Sequence, residues 1–255
     1  MFDTLFQKYD QLIFFDTETT GFDGKNDRII ELAAIQIKQN PQTEIVRTGC
    51  FDEFIQLTDR ELPERVTEIT GILPIMLQSQ GLPEKDVVGK FGEMIAAEKR
   101  TLLIAHNAQF DLNFIGHTFI RYAVKHPDYL RTFSICDYLD TLTVYKDRAM
   151  YPHRLESAIL HYELQDKVQN SHRAIDDTEA LLAVTMAMYE ERPDLLEYVN
   201  IFGYKGKYGI SGNTLKKVQY AAQGDLWKMA NPDSIFPRRI ADEEHRISAA
   251  SGRGG

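Results

Sequence analysis

Apolar residues recur at two spacings along the chain, and these predict strands first and then strands alternating with helices. Runs of four to eight apolar or alternating positions are typical of buried strands. A turn around Asn40-Pro41 joins two of the runs, so we expect an antiparallel meander near the start of the chain. The predicted strands lie near residues 12–16, 29–37, 44–57, 101–105 and 132–136.

Apolar positions at helical spacing separate the later strands. Pro63 opens a short helix that Gly71 closes, and Asp140 is expected to N-cap the helix that follows the last predicted strand. Further helices are predicted after Pro83, from Phe110, around residues 155–162 and over residues 173–190. Strands followed by alternating strands and helices indicate an α/β domain with a mixed sheet.

We expect this domain to cover residues 1–200 and to be followed by a basic, glycine-rich extension over residues 201–255. The extension has five glycines by Gly224 and no sustained periodicity. A hairpin around Ser211-Gly212-Asn213 is predicted, with residues 207–210 and 215–220 as its two arms. The last residues, from Ala249, are predicted to be disordered.

Composition narrows the classes of protein. A chain of 255 residues with 43% hydrophobic side chains can bury a full core. Its net charge of -9 argues against a protein that coats long nucleic acids, but it permits one that grips a chain end. No apolar stretch approaches the roughly 18 residues that a membrane span needs, and Cys50 and Cys136 show no metal-ligand spacing. We therefore expect a cytoplasmic protein.

Candidate chemistry begins at Asp16 and Glu18, at the end of the first predicted strand. Side chains along a strand alternate between its faces, so these two carboxylates point the same way. Each costs roughly 2 to 7 kcal/mol to desolvate without a partner, and a divalent cation would remove that penalty. An isolated Asp-x-Glu more often begins a solvated loop than a metal site, so other residues have to decide.

Two further acids and a histidine favour the metal site. Asp111 lies in the first turn of a helix after a strand, where ligand sites of α/β sheets gather, although it also suits the helix dipole there. Asp177 shares the apolar stripe of the last long helix, a position that acids seldom occupy without a cation. His172 precedes that helix and is a candidate general base.

Four acids and one histidine at strand ends and helix starts fit a two-metal phosphoryl-transfer site. In such a site the acids bind two divalent cations, Mg²⁺ or Mn²⁺, and the histidine takes the proton of the attacking water.

The same residues carry a family resemblance, which spans roughly residues 8–190. It rests on three ordered segments: Phe-Phe-Asp-Thr-Glu-Thr-Thr-Gly at 14–21, Ala-His-Asn-Ala-Gln-Phe-Asp-Leu-Asn-Phe-Ile at 105–115 and His-Arg-Ala-Ile-Asp-Asp at 172–177. These resemble the motifs of DEDDh-family 3′–5′ exonucleases of the DnaQ type, which include the DNA polymerase III epsilon subunit and the PolC exonuclease domain. The resemblance implies an RNase H-like fold, a five-stranded mixed sheet with helices on both faces.

The resemblance also implies a role for each residue. Asp16, Glu18 and Asp177 would bind the first metal, Asp16 would bridge to a second metal near Asp111, and His172 would deprotonate the water. Thr70 departs from the epsilon subunit, which commonly has histidine there, but agrees with PolC-like members. The implied substrate contacts are Thr17, Thr19, Thr70, Ile72, Asn107 and Phe110.

We therefore predict a divalent-metal-dependent exonuclease that releases nucleoside monophosphates from DNA 3′ ends, in proofreading or repair. An RNA 3′-end trimming exonuclease is the alternative within the family, because the same site hydrolyses either polymer. A catalytically silent adaptor that binds nucleic-acid ends is the alternative from another class.

The extension suggests partners. Gln223, Asp225, Leu226 and Trp227 resemble the short Gln-x-(Asp/Ser)-Leu-aromatic peptide that docks on bacterial sliding clamps; alternatively, Leu226 and Trp227 pack back on the domain. Lysines and tyrosines over residues 204–220 offer stacking and phosphate contacts to single strands, or simply a solvated basic face. A DNA polymerase is a further expected partner.

Overall fold

In the part of the chain that the structure describes, the strands form two sheets, one of five strands and one of two. A computed structural model describes residues 1–122, 127–210 and 213–223. The larger sheet has the order β3-β2-β1-β4-β5, in which β1, β2 and β3 are antiparallel neighbours and β4 and β5 run parallel to β1. The strands are β1 (Gln11–Thr19), β2 (Ile29–Gln39), β3 (Ile45–Phe54), β4 (Thr101–Ala105), β5 (Asp137–Asp140), β6 (Ile201–Tyr204) and β7 (Gln219–Ala222).

Helices cover both faces of the larger sheet. They are α1 (Asp3–Lys8), α2 (Glu64–Thr70), α3 (Pro74–Gln80), α4 (Glu84–Ala96), α5 (Ala108–Tyr122), α6 (Pro127–Ile135), α7 (Thr141–Arg148), α8 (Leu155–His161) and α9 (Ala174–Glu191), with a 3₁₀ turn at Leu195–Tyr198. None of the helices in the described ranges has the length and apolar character to span a bilayer.

The alternation of side chains along β1 explains why its sequence is apolar throughout. Leu12 and Phe14 join one core with residues of α1, α7, α8 and α9. Ile13 and Phe15 join a second core with residues of α4, α5 and α6. Because each face packs against helices, no position in the run from 12 to 15 reaches solvent.

Most of the predicted elements are confirmed, including the antiparallel meander, the strand at residues 101–105 and the long last helix. Gly71 ends α2 in the left-handed conformation at φ 70°, which glycine adopts without steric cost. The Asp140 side chain caps α7 by accepting the backbone N–H of Leu142 at 3.2 Å.

The strand predicted at residues 132–136 is wrong. Residues up to Ile135 belong to α6, and the strand begins at Asp137. The run Thr-Phe-Ser-Ile-Cys has strand-like composition, but Phe133 is buried against Phe119 of α5 and Tyr138 of β5. Packing between helices therefore overrides the local preference for a strand. The short helices α1 and α3 were not predicted.

The hairpin predicted in the extension is also wrong. β6 and β7 pair in parallel, with Ile201 opposite Gln219, and a parallel pair needs a crossing connection instead of a tight turn. Phe202 and Val218 are buried in the same core as α5, which explains why the connection lies against that helix. The predicted disordered end and Asp225, Leu226 and Trp227 lie outside the described residues.

Asp137, the first residue of β5, joins three parts of the chain. Its carboxylate accepts hydrogen bonds from the Tyr9 hydroxyl at 2.7 Å and the Asn200 amide at 2.8 Å, and it pairs with the Lys217 ammonium at 2.5 Å. Burial alone raises the pKa of this carboxyl, but the bonds from Lys217, Asn200 and Tyr9 outweigh it and hold the pKa at about 2. The extension is thus fastened to the domain through a charged group.

Replacing Asp137 with asparagine is expected to lower the free energy of unfolding at neutral pH by about 2 kcal/mol. The folded pKa, about 2, is below the ordinary value of 3.8, so the carboxylate contributes this stability above about pH 4. The contribution is lost as the pH falls through 2. Urea unfolding across this pH range measures it, with the exposed Asp128→Asn as the matched control. Equal losses in both variants would contradict the assignment.

Candidate active site

The first two candidate acids lie where β1 runs past the end of β4. The parallel pairing of these strands reaches Phe14 opposite Ile104, and Asp16 and Glu18 come after it. Across the antiparallel pair, Glu18 faces Glu31 of β2. Both candidate acids are half-buried, whereas Thr17 between them is buried on the opposite side of the strand. The structure therefore brings the two carboxylates to one edge of the sheet.

Asp111 is held against β1 from the first turn of α5. One of its carboxylate oxygens accepts both the Thr17 backbone N–H at 3.1 Å and the Thr17 hydroxyl at 2.6 Å. The turn that starts α5 is fixed in its place by Asp140, which accepts the N–H groups of Asn107 at 2.9 Å and Ala108 at 3.1 Å. Asn107 itself has a left-handed φ of 67°. Three strands of the sheet thus determine where Asp111 lies.

Asp177 and His172 reach the same edge from the start of α9. Asp177 is buried in the first turn of this helix, and its Oδ1 is a buried atom without a hydrogen-bond partner. One carboxylate oxygen each of Glu18 and Asp177 and one ring nitrogen of His172 lie within 4.8 Å of one another. The His172 side chain is exposed, and its backbone is left-handed at φ 56°.

Burial, together with neighbouring carboxylates, makes these acids hard to ionise. Burial, followed by the charges of neighbouring acids, raises the pKa of Asp16 well above its ordinary value and that of Glu18 to about 8. Burial also raises the pKa of Asp111 to about 7, against the lowering effect of the hydrogen bonds from Thr17. For Asp177, burial raises the pKa to about 6 although the charge of His172 lowers it. Each acid is thus poised to bind a cation in place of a proton.

Glu31 and Arg173 form an ion pair beside this cluster. Glu31 is fully buried and accepts from Arg173 Nη2 at 2.6 Å, from Arg173 Nε at 3.0 Å and from the Ala174 backbone N–H at 3.0 Å. The Arg173 guanidinium also lies 4.9 Å from the centre of the Phe54 ring. Because Arg173 and Ala174 directly follow His172, the pair fixes the start of α9 to strand β2. An acid within an otherwise apolar strand is the sequence signal for a buried ion pair, but nothing in the sequence names Arg173 as its partner.

The residues present fit divalent cations. Carboxylate oxygens are the ligands that Mg²⁺ and Mn²⁺ prefer, and a buried carboxylate oxygen without a donor lacks the partner that a cation supplies. Glu18, His172 and Asp177 are the described residues whose donor atoms lie close enough together to hold one ion. Asp16 and Asp111 lie near enough for the charge of Asp111 to raise the pKa of Asp16.

The six predicted substrate contacts have mixed surroundings. The Thr17 hydroxyl is bound to Asp111 and the Thr19 hydroxyl donates to the Gly21 carbonyl at 2.7 Å, so both stiffen the end of β1. The Thr70 hydroxyl donates to the Val66 carbonyl at the end of α2, and Ile72 is fully buried against Ile30 and Leu77. Asn107 forms the turn before α5, and Phe110 is half-buried in α5. Their roles toward a substrate stay predictions.

Phe22 is a candidate that the sequence reasoning missed. Its side chain is 88% exposed, and its ring meets that of Phe110 edge to face, with centroids 6.4 Å apart. A large aromatic directly after the first acidic motif was the available signal. The exposed Phe22 ring, packed on Phe110 directly before Asp111 in the chain, offers a surface on which a nucleobase can stack.

A family model described as "Exonuclease" (RNase_T) matches residues 13–185, which include all of the candidate acids and His172. This chain belongs to that exonuclease family. The match confirms the resemblance predicted from the three motifs and, with it, the class of enzyme. Among relatives, the DNA polymerase III PolC-type protein of Clostridium perfringens is 29% identical over 215 residues, which are 82% of this chain and 13% of that protein. The DNA polymerase III epsilon subunit of Treponema pallidum is 30% identical over 193 residues, 74% of this chain and 81% of that subunit.

Solved structures confirm the fold class. Exonuclease I of E. coli, determined in complex with a dT13 oligonucleotide, superposes with a TM-score of 0.60 at 19% identity over 74% of this chain and 43% of that one. A zinc-bound form of the same enzyme with single-stranded DNA gives a TM-score of 0.56 at 22% identity, over 74% of this chain and 42% of that one. The five-stranded mixed sheet with helices on both faces is therefore the RNase H-like fold of these exonucleases.

Raising the pH is expected to destabilise the metal-free protein and to strengthen its stabilisation by Mg²⁺. Because the folded pKa of Glu18 is about 8 against an ordinary 4.5, the protonated group contributes stability at low pH that is lost as the pH rises to about 8. A cation replaces the proton, so the rise in melting temperature on adding Mg²⁺ should grow over the same range. Thermal unfolding at about pH 5 and about pH 8.5, with chelator or Mg²⁺, measures both effects.

Glu18→Gln should reduce both effects, because it removes one of the four acids whose pKa is raised, whereas the exposed Glu68→Gln should leave them in place. An equal Mg²⁺ response at both pH values would contradict the cation site.

The two partners of the Glu31–Arg173 pair are expected to differ in how much their loss costs. Arg173→Met leaves a fully buried carboxylate without its cation and should cost about 3 to 5 kcal/mol of unfolding free energy. Glu31→Gln keeps an acceptor for Arg173, removes one charge from the acid cluster and should cost much less. Urea unfolding of both variants at neutral pH tests this order. Equal costs, or a larger cost for Glu31→Gln, would contradict it.

Proposed function

We propose that this chain is a divalent-metal-dependent 3′–5′ exonuclease that releases nucleoside monophosphates from the 3′ ends of DNA. The observation that carries the proposal is the convergence of Asp16, Glu18, Asp111 and Asp177 with His172 at one edge of the sheet. A protein that only bound nucleic-acid ends would have no use for four carboxylates whose charges oppose the binding of phosphate.

The residues divide the work as follows. Asp16, Glu18 and Asp177 would hold one cation, and Asp16 with Asp111 would hold a second. Bound cations would neutralise the scissile phosphate and lower the pKa of the attacking water. His172 accepts the proton of that water. Its ring is placed for this role because one ring nitrogen lies within 4.8 Å of carboxylate oxygens of Glu18 and Asp177. Thr17 keeps the Asp111 carboxylate turned toward β1.

DNA is the proposed polymer because the relatives and the superposed structures are proteins that act on or bind DNA. The relatives named above are DNA polymerase III proteins, and the superposed Exonuclease I structures contain single-stranded DNA. The exposed ring of Phe22 beside Phe110 suits the base at an unpaired end, because stacking works on any base. Stacking does not distinguish DNA from RNA, so RNA trimming is the second candidate.

A polymerase is the proposed partner, because the relatives of this chain are a polymerase and a polymerase subunit. Docking on a sliding clamp through Gln223 and the three residues at 225–227 stays a prediction. The Gln223 amide donates to the Thr143 carbonyl at 2.9 Å, so that bond has to open before the side chain is free for a clamp.

Asp16→Ala is expected to abolish activity, because Asp16 is the acid proposed to touch both cations. His172→Ala should lower the turnover roughly 100- to 10,000-fold through the loss of a general base. The assay follows nucleoside monophosphate release from matched 3′-labelled DNA and RNA strands, with Mg²⁺ or chelator. As a control, Asp176→Ala removes the neighbouring acid, which bonds Ser171, and should keep most of the activity. Full activity in purified Asp16→Ala protein would overturn the proposed function.

A further inference from the structure

The connection between β6 and β7 begins with a basic turn, residues 205–210. Over residues 201–223 the chain has four lysines and no aspartate, glutamate or arginine, although its net charge is -9. Two of these lysines, Lys205 and Lys207, lie in the turn and are exposed together with Tyr208. The Tyr208 side chain is 72% exposed, which is unusual for a large aromatic ring and leaves its face open to solvent.

Backbone hydrogen bonds within the turn stabilise its conformation. The N–H groups of Tyr208 and Gly209 both donate to the Lys205 carbonyl, at 3.0 and 2.9 Å. Gly209 has a left-handed φ of 67°, which lets the chain close the turn. The Lys207 ammonium lies 5.3 Å from the ring centre of Tyr208. A cation and an aromatic ring are therefore presented side by side to solvent.

The turn lies at the same edge of the sheet as the acid cluster. β6 starts beside the middle of β5, where the Asn200 N–H donates to the Tyr138 carbonyl. It then passes the end of β5, where the Gly203 N–H donates to the Thr143 hydroxyl at 2.9 Å. That end of β5 carries Asp140, which holds the turn before Asp111. Farther along the connection, the Asn213 carbonyl accepts from Gln109, the neighbour of Phe110, at 3.4 Å.

A third cation joins the two lysines of the turn. Lys146 lies on α7. Burial lowers the pKa of its ammonium, the charge of Asp140 raises this pKa, and the charge of Lys205 lowers it. Because the charge of Lys205 acts on Lys146, the two ammonium groups are near neighbours. No ion pair involves these three lysines among the residues that the structure describes. By contrast, Lys8, Lys38 and Lys90 each pair with an acid. The three ammonium groups are therefore available to the phosphates of a ligand.

We propose that Lys146, Lys205, Lys207 and Tyr208 form a binding surface for the sugar-phosphate backbone and bases of the same single strand whose 3′ end enters the acid cluster. The inference rests on the proposed function and adds the path of the strand behind its terminal nucleotide. Phosphates meet the lysines and a base stacks on the tyrosine, the combination that single-strand binders use. An acidic domain gains from this surface, because its remaining charge repels the strand.

Strand binding is tested without cleavage, by fluorescence anisotropy of a labelled oligothymidylate in the presence of chelator at several salt concentrations. The double variant Lys205→Ala/Lys207→Ala should bind about 10-fold more weakly, and its slope of log affinity against log salt should fall by about 1.4, the loss of two phosphate contacts. Tyr208→Ala should weaken binding by about 10-fold with an unchanged slope. The control double variant Lys99→Ala/Lys216→Ala has the same charge change before β4 and β7, at the opposite edge, and should bind like the wild type.

Hydrolysis of a chromogenic thymidine monophosphate ester, which is too short to reach the turn, should be unchanged in every one of these variants. If the lysine double variant keeps the wild-type affinity and salt slope, the binding surface is refuted, and equal weakening in the control variant refutes it as well. Displacement of the strand by polyglutamate at an equal concentration of charge would also overturn it, by assigning the lysines to an acidic protein. Absence of hydrolysis in the wild type would instead defeat the proposed function, while the binding measurement still decides the surface.

Discussion

Repulsion among carboxylates at one edge of the sheet is the constraint on which the surrounding structure depends. Like charges in a poorly solvated site cost the most when they are held close, and here they are held by bonds that lead away from the cluster. Thr17 ties Asp111 to β1, Asp140 fixes the turn before α5, and Arg173 binds Glu31 across β2. Each bond joins an acid-bearing element to a strand, so the acids cannot relax apart without disturbing the sheet. The fold therefore bears the free-energy cost of this repulsion, and a bound cation would relieve it.

The sequence predicted those parts of the fold in which local pattern and tertiary packing agree. β1 and β4 are buried on both faces, so their apolar runs left little doubt about strands, and the acids stood out because each interrupts or ends an apolar pattern. Pattern and packing disagree at residues 132–136, where a strand-like run became the last turn of α6 because Phe133 packs between helices. They disagree again in the extension, where turn-forming residues suggested a hairpin but burial of Phe202 and Val218 aligned β6 and β7 in parallel.

Contacts between residues far apart in the chain were beyond the reach of sequence reasoning. Glu31 and Arg173 are separated by 142 positions, and nothing local to either indicates the other. The same holds for Asp137, which gathers Tyr9 from one end of the described chain and Lys217 from the other. The acids and the histidine in the sequence predicted metal-dependent chemistry, and the family motifs predicted which of them act together. The pairs that orient those acids became visible only when the chain was folded.

The exposure of His172 determines how its ring would lose a proton in the proposed reaction. The acids beside it are buried or half-buried, whereas its ring stands in water on a residue whose backbone turns left-handed just before α9. A proton that this ring accepted in the proposed reaction would pass directly to solvent. In the proposed mechanism the base would therefore be deprotonated again by exchange with solvent, without a relay of side chains.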